Sequence, residues 1–504
     1  MGDITQTPGP GSDPGQHAVT TTPRAPHLVA PQAGGELHRH FGLLHATALN
    51  VSMIVGAGVF VTIPLMVLKL PGPYALLGWL GAGALIIVDG LVWSELGAMM
   101  PGSGGSYLYL LEAYGRERGG RLAAFLFIWQ FLLSGPLEVG SGLIAMAAFS
   151  TAIHPRVAEL NKAWTYKFVF LPDWDLAATV DPTRLAALAL GALIIFLLYR
   201  RITILGKLTV AAWLGVLGLI VWILVEGFLR FDANTALDFT GATVSPKDFA
   251  SNLGGAMILA MYSYLGYYQI CYIGDEVREP GRTIPRAILL SAVLVCVLFV
   301  ALHLAMLGTV SWHALPTTED GCNDYNLAAA FMGRIHKQWA PSLVALLLIG
   351  SCFASAFAGL LGYSRIPYGA ARYGHFYAAL ARVHPRLRIP HVSLLLVGGC
   401  TLFWVFFDLG KVITALITTR ILEQFVAQIV GAMVLRHTRP DWPRPYRMWL
   451  YPLPCLAALV GWLYLYGSAE WLFIVVGLVT LQAGVVAFLL WTWRTKEWPF
   501  AAPE

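Results

Sequence analysis

The stretch Ser52 to Pro64, SMIVGAGVFVTIP, sets two glycines one residue apart in an apolar run and begins like the dinucleotide-binding pattern G-x-G-x-x-G. That pattern cradles phosphate only when the glycines follow a strand, open a helix and precede an acid about 20 positions on. Here Val61 stands where the third glycine belongs, and the next acid is Asp89. A polyphosphate sunk in so apolar a run would also be desolvated with no cation at hand. Two readings remain. Small residues at short intervals let membrane helices approach closely. Alternatively, a helix interrupted at Gly56, Ala57 and Gly58 leaves the N–H groups of its outer half and the carbonyls of its inner half free. Such ends attract opposite charges, which is what a zwitterion offers.

A similar interruption is expected at MYSYLGYYQICYIG, where Gly266 sits among aromatics. Packing alone could also explain that glycine. Breaks in the first and sixth apolar runs together suggest two five-helix repeats facing a shared midplane site. The other chemistry-bearing residues are ionisable groups in apolar surroundings: Asp89, Glu138, Arg420 and Glu423. Each carries an insertion penalty of about 2.5–3.5 kcal/mol, so each should face protein or water. Arg420 and Glu423, three residues apart, could pair on one helix face, with gating as the second reading. Asp89 and Glu138 could relay protons, contact a cationic substrate or serve as satisfied structural acids. Lys207, at a helix start, reads on residues alone as an anchor snorkelling to the interface. The 13 histidines show no metal-ligand spacing, and neither a disulfide framework nor a zinc site emerges from the six cysteines. No metal or cofactor is expected.

These residues have to be positioned by a membrane fold. Of 504 residues, 57% are apolar and 12% charged, about half the charge of an ordinary soluble chain. Crossing the hydrocarbon takes about 20 apolar residues as helix. That ruler predicts an all-α integral membrane protein with twelve transmembrane helices near 43–67, 73–99, 121–150, 184–199, 207–229, 250–274, 286–310, 341–364, 391–408, 411–435, 449–467 and 471–493. With a cytoplasmic N-terminus most of the 33 lysines and arginines fall inside, including Arg200, Arg201 and the cluster ARYGHFYAALARVHPRLR, as the positive-inside rule requires. Those charges read as topogenic rather than as a nucleic-acid surface. Residues 1–38 read as a disordered cytoplasmic tail and 496–504 as a second tail.

In order, IVGAGVF, WSELGAMMPGSGGSYLYL, ILGKL, GDEVREPGRTIPRAI, SCFASAFAGLLGYSR with ARYGHF, and LRHTRPDWPRPYRMWLYP resemble the amino acid–polyamine–organocation superfamily, most of all its L-type amino acid transporter branch. The resemblance covers roughly residues 40 to 495. It implies a LeuT-like transport core over 39–435, with inverted repeats at about 43–229 and 250–435, broken helices 1 and 6, and peripheral helices 11 and 12 in 436–495. It further implies alternating access without ATP. Carried over to matching positions, the substrate carboxylate would meet the amides of Gly56, Ala57 and Gly58. Its ammonium would meet carbonyls near Ile54, Tyr262, Ser263 and Leu265. Tyr262 would be the aromatic gate, while Tyr264, Tyr267 and Tyr268 would shape the pocket, or else pack or face lipid. Members that accept large side chains carry a small residue where this chain has Leu265, which should shrink or reshape the pocket. Lys207 would reach toward Gly56 and Ser355, either as a surrogate for a coupling cation or as a proton carrier.

The expected function is sodium-independent secondary transport of amino acids, neutral ones above all, across the cell membrane by exchange or with a proton. A cationic amino acid or polyamine carrier, an amino acid sensor and a multipass membrane enzyme are the alternatives, and no residue cluster of the enzyme kind is found. Animal members of the branch attach a heavy chain through a cysteine in the loop after span three. Residues 151–183 contain none, so no disulfide-linked partner is expected.

Overall fold

The computed structural model describes residues 39, 41–102, 104–172, 176–200, 205–314, 326–336 and 339–500. The proposed tail at 1–38 lies outside these residues, as do residues 501–504 of the one proposed at 496–504. Backbone polar groups in lipid must be satisfied within the chain, and helices answer nearly every apolar run. The first run gives α1 (Leu43–Ile54) and α2 (Gly58–Lys69), bent by 53° at the break between them. Then come α3 (Ala75–Met99), α4 (Gly120–Ser150), α5 (Pro182–Tyr199), α6 (Leu205–Leu229), α7 (Pro246–Tyr264) and α8 (Pro280–Leu307). A short α9 (Leu327–His336) precedes α10 (Trp339–Tyr363), α11 (His391–Trp404), α12 (Leu409–Arg420), α13 (Ala427–Thr438), α14 (Leu453–Ser468) and α15 (Trp471–Thr495). Among the described residues eight helical segments are long and apolar enough to cross a membrane, or nine with the bent pair counted as one span. The apolar helices α11 and α14 are shorter, and α7 stops at Tyr264 instead of running on toward 274.

One element departs from the all-α expectation. Between α4 and α5 the strands β1 (Tyr166–Leu171) and β2 (Leu176–Val180) form an antiparallel hairpin. Its tyrosine, phenylalanine and valine residues favour strands, and outside the spans water can satisfy its open edge. The Thr179 amide donates to the Phe406 carbonyl at 2.7 Å, tying the hairpin to the end of α11.

Glu95 of α3 sits at the centre of a buried cluster of charges. At 2% exposure, its carboxylate receives Arg436 Nε at 2.8 Å and Nη2 at 2.5 Å, in the two-pronged geometry that suits a guanidinium. The Met448 amide donates to it at 2.8 Å, and Arg444 Nε lies 3.7 Å away. Removing one partner of a buried pair strands the other. Glu95→Gln should therefore destabilise the protein by about 3–5 kcal/mol, read as a lower melting midpoint of the detergent-solubilised protein. An unchanged midpoint would remove Glu95 from this role.

A candidate substrate site at two helix breaks

The first break lies where the sequence places it. After Ile54 the backbone turns extended at Val55, with φ −81° and ψ 104°, and helix resumes at Gly58. The second follows Tyr264: Leu265 is extended at ψ 138°, and Gly266 has φ +107°. Only glycine adopts that backbone without strain. Space demands it too, because a Cβ on Gly266 would lie 2.9 Å from Cβ of Met53, next to the first break. Beyond it the chain resumes as a single short turn of 3-10 helix, Gln269–Tyr272.

Unwinding frees backbone groups that need partners, and Asn50 of α1 supplies several. Fully buried, it donates through Nδ2 to the Tyr267 carbonyl at 2.7 Å and to Ser291 Oγ at 3.3 Å, and its Oδ1 accepts from the Ile270 amide at 3.0 Å. The helices α2 and α7 meet as well. Gly58 faces Tyr262, so that a Cβ on Gly58 would lie 3.3 Å from Cε1 of the ring. Thr62 Oγ1 and Ser263 Oγ are 2.9 Å apart. The Tyr262 hydroxyl is 2.8 Å from Ser141 Oγ of α4, which in turn donates to the Glu138 carbonyl at 2.6 Å.

The half-buried glycines Gly56 and Gly58, with buried Ile54 and Ala57 beside them, thus face Tyr262 and Ser263, and Leu265 is buried at the second break. Ser355 of α10 comes to the same place, since a Cβ on Gly56 would lie 3.9 Å from its Oγ. Lys207 lies in the first turn of α6, and its side chain is outside the described residues. The three remaining tyrosines point elsewhere. Tyr264 packs its ring edge-on to Trp79 at 5.4 Å and stacks near Phe299 at 5.5 Å. Tyr267 donates its hydroxyl to buried Asp89 of α3. Tyr268 stacks on Trp93 with centroids 4.2 Å apart.

The pairing expected of Arg420 needs correcting. Its Nη2 lies 2.6 Å from Glu138 Oε2 of α4, and its Nε donates to Ser134 Oγ at 3.1 Å. No ion pair joins it to Glu423. The reason is local: α12 ends at Arg420, and residues Ile421–Val426 form a π turn. The wider turn spoils the spacing that brings residues three apart together on an α-helix.

Sequence reasoning missed Asn50, Thr62 and Ser141. An amide in the run LNVSMIV, four residues before the end of α1, was the available signal for Asn50. Nothing in the local sequence marks the two hydroxyls, which become partners only through the fold. Among the described residues no group of three His, Cys, Asp or Glu side chains is placed to hold a metal ion. What the arrangement offers chemically is free main-chain donors and acceptors, hydroxyls and an aromatic ring, suited to holding a small zwitterion rather than breaking bonds.

Comparison with known proteins agrees with that chemistry. The chain is 26% identical over 428 residues to the human (Homo sapiens) cystine/glutamate transporter, covering 84% of this chain and 78% of the relative. It is 25% identical over 438 residues to the serine/threonine exchanger SteT of Bacillus subtilis (strain 168), covering 86% and 91%. It is 27% identical over 432 residues to cationic amino acid transporter 4 of Mus musculus, covering 84% and 62%. The family model described as amino acid permease matches residues 41–494, and the chain therefore belongs to the amino acid permease family, whose members are transporters and not enzymes.

Proposed function

We propose that the protein carries a neutral amino acid across the cell membrane without sodium, by alternating access, as an exchanger or a proton symporter. The observation that supports this most is the meeting of two interrupted helices, with Gly58 against Tyr262 and Thr62 against Ser263. Backbone donors of one helix half and acceptors of the other can then take the two charges shared by every amino acid. In this reading the helices supply twelve spans, with α1 and α2 counting as one, α12 and α13 as one, the short α9 left out, and α7 continuing through the Leu265–Tyr272 stretch. The first ten form a LeuT-like pair of inverted repeats within 39–435, the last two lie outside it, and both termini are cytoplasmic.

In the same reading, the substrate carboxylate sits on the amides of Gly56, Ala57 and Gly58, its ammonium near the carbonyls of Ile54, Tyr262, Ser263 and Leu265, and Tyr262 closes the site. A neutral substrate is consistent with Glu138 and Arg420 being paired with each other, which leaves neither charge for a substrate side chain. The relatives' names span cystine/glutamate, serine/threonine and cationic substrates, so the side chain has to be read by experiment. The absence of cysteine from 151–183 favours a carrier that works without a disulfide-linked partner.

Counterflow of radiolabelled L-serine, L-leucine, L-glutamate and L-arginine into proteoliposomes tests the reading. Exchange of a neutral amino acid in sodium-free buffer is expected. Binding without flux would make the protein a sensor, and preference for arginine would overturn the neutral assignment. Lys207→Ala should lower uptake at least tenfold at matched protein density, because a fixed cation in place of a coupling ion holds the first break in its working shape. Normal flux with a normal pH response would refute that role.

A further inference from the structure

We propose that Glu423 is a proton-binding site through which a proton gradient drives the substrate; this rests on the transport reading above and specifies its coupling ion. Glu423 lies in the π turn Ile421–Val426, and π turns within helices concentrate at functional positions. It is 6% exposed, and its Oε2 accepts no hydrogen bond. The nearest cation along its own helix, Arg420, is held by Glu138 and Ser134. From the other elements packed here, Tyr466 of α14 faces it with a hydroxyl that also lacks a partner. Tyr114 gives its hydroxyl to the Ala427 carbonyl at 2.7 Å. Glu138, Tyr268 and Tyr363 face Arg420 instead. A buried carboxylate whose one nearby cation, Arg420, is already paired with another acid is expensive as an anion, and binding a proton removes the charge.

Glu423 also borders a cavity of about 240 Å³, whose other lining residues include Tyr114, Gly119, Leu122, Leu126 and Leu481; in the proposal this is where its carboxyl exchanges the proton. Gly119 closes a second irregular segment, the π turn Gly115–Gly119, kinked at Arg118 with φ −130° and ψ −119°.

Proton occupancy then decides where Arg420 turns. With Glu423 protonated, the guanidinium belongs to Glu138, as observed. Once the proton leaves, the bare Glu423 carboxylate pulls on the same cation through space, without the direct pairing that the π turn prevents, and in a low-dielectric setting that pull is strong. Any weakening of the Arg420–Glu138 bridge loosens α12 from α4. Glu138 also accepts from Ser141 through its carbonyl, and Ser141 touches the Tyr262 hydroxyl. A chain of contacts therefore runs from the proton site to the ring beside Gly58.

The test uses wild-type protein, Glu423→Gln and Glu423→Asp in proteoliposomes, with membrane potential held at zero and the amino acid showing the strongest counterflow. For one proton per substrate, a gradient of one pH unit, acid outside, sustains an accumulation ratio of about tenfold. Wild type and Glu423→Asp should approach it. Glu423→Gln, with a fixed neutral carboxamide, should fall to a ratio of about 1 while its counterflow at equal pH persists. A second readout needs no variant: dicyclohexylcarbodiimide, which modifies protonated carboxyl groups in apolar surroundings, should label Glu423 of the wild type, less so as pH rises, as read by mass spectrometry. Wild-type accumulation in Glu423→Gln, absence of proton-driven accumulation in the wild type, or absence of pH-dependent labelling each overturns the proposal. Absence of counterflow in the wild type for every amino acid would instead overturn the transport reading.

Discussion

Gly58→Val is expected to abolish amino acid uptake, by at least a hundredfold, in protein that still folds and reaches the membrane. Gly58 opens α2 and faces the Tyr262 ring. A Cβ there would sit 3.3 Å from Cε1, a contact that requires the ring to give way. Valine adds two more carbons that bracket the space above the freed amides, where the substrate carboxylate is proposed to lie. Its branched side chain is tolerated in an apolar helix, so the loss should appear in binding rather than in expression. Scintillation-proximity binding together with uptake at matched membrane density measures it. Uptake unchanged by valine would mean that the backbone at Gly58 does not meet the substrate.

Arg420→Leu is expected to combine a large loss of stability with a loss of transport. The guanidinium is 4% exposed and bonds Glu138 and Ser134 while lying 5.9 Å from the Phe131 ring. Removing it leaves Glu138 without its cation in the protein interior. Breaking a buried pair costs about 3–5 kcal/mol, and with Glu138 still 24% exposed the loss should lie near the lower end, about 3 kcal/mol. The melting midpoint of the purified protein should fall accordingly, and uptake should drop at least tenfold. Adding Glu138→Leu removes the stranded charge, so the double variant should recover most of the stability but not the transport. A double variant no more stable than Arg420→Leu alone would show that the pair is not the source of the effect. Such a cycle isolates the interaction itself.

Much of the membrane architecture could be read from the chain because lipid permits so few backbone solutions. Apolar runs long enough to span had to become helices, and Gly56, Gly58 and Gly266 marked places where two of them give out. Other features depend on partners far away in sequence. Arg420 found Glu138, 282 positions earlier, because a π turn set by packing displaced Glu423. Helical periodicity cannot reveal such a turn. The hairpin at 166–180 was hidden by a composition that otherwise speaks only of helices. Tyr264, Tyr267 and Tyr268 sit beside one another in sequence but look toward different neighbours, since the extended residue Leu265 and the left-handed glycine Gly266 reorient the chain between them. Lys207 depended on the family resemblance for its weight, and its side chain lies beyond the described residues.

The bonds of Asn50 have a further mechanical consequence. Because one side chain takes both the Tyr267 carbonyl and the Ile270 amide, torsion inside Tyr267–Ile270 would leave two buried backbone groups without partners, each costing about 1–3 kcal/mol. The irregular stretch is thus stiff where it looks loose. Rotation about it has to fall on its margins, at Leu265 and Gly266 on one run and at Val55 on the other. The helix α1 and the 3-10 turn of the sixth run would swing as one pinned lever rather than as two separate hinges.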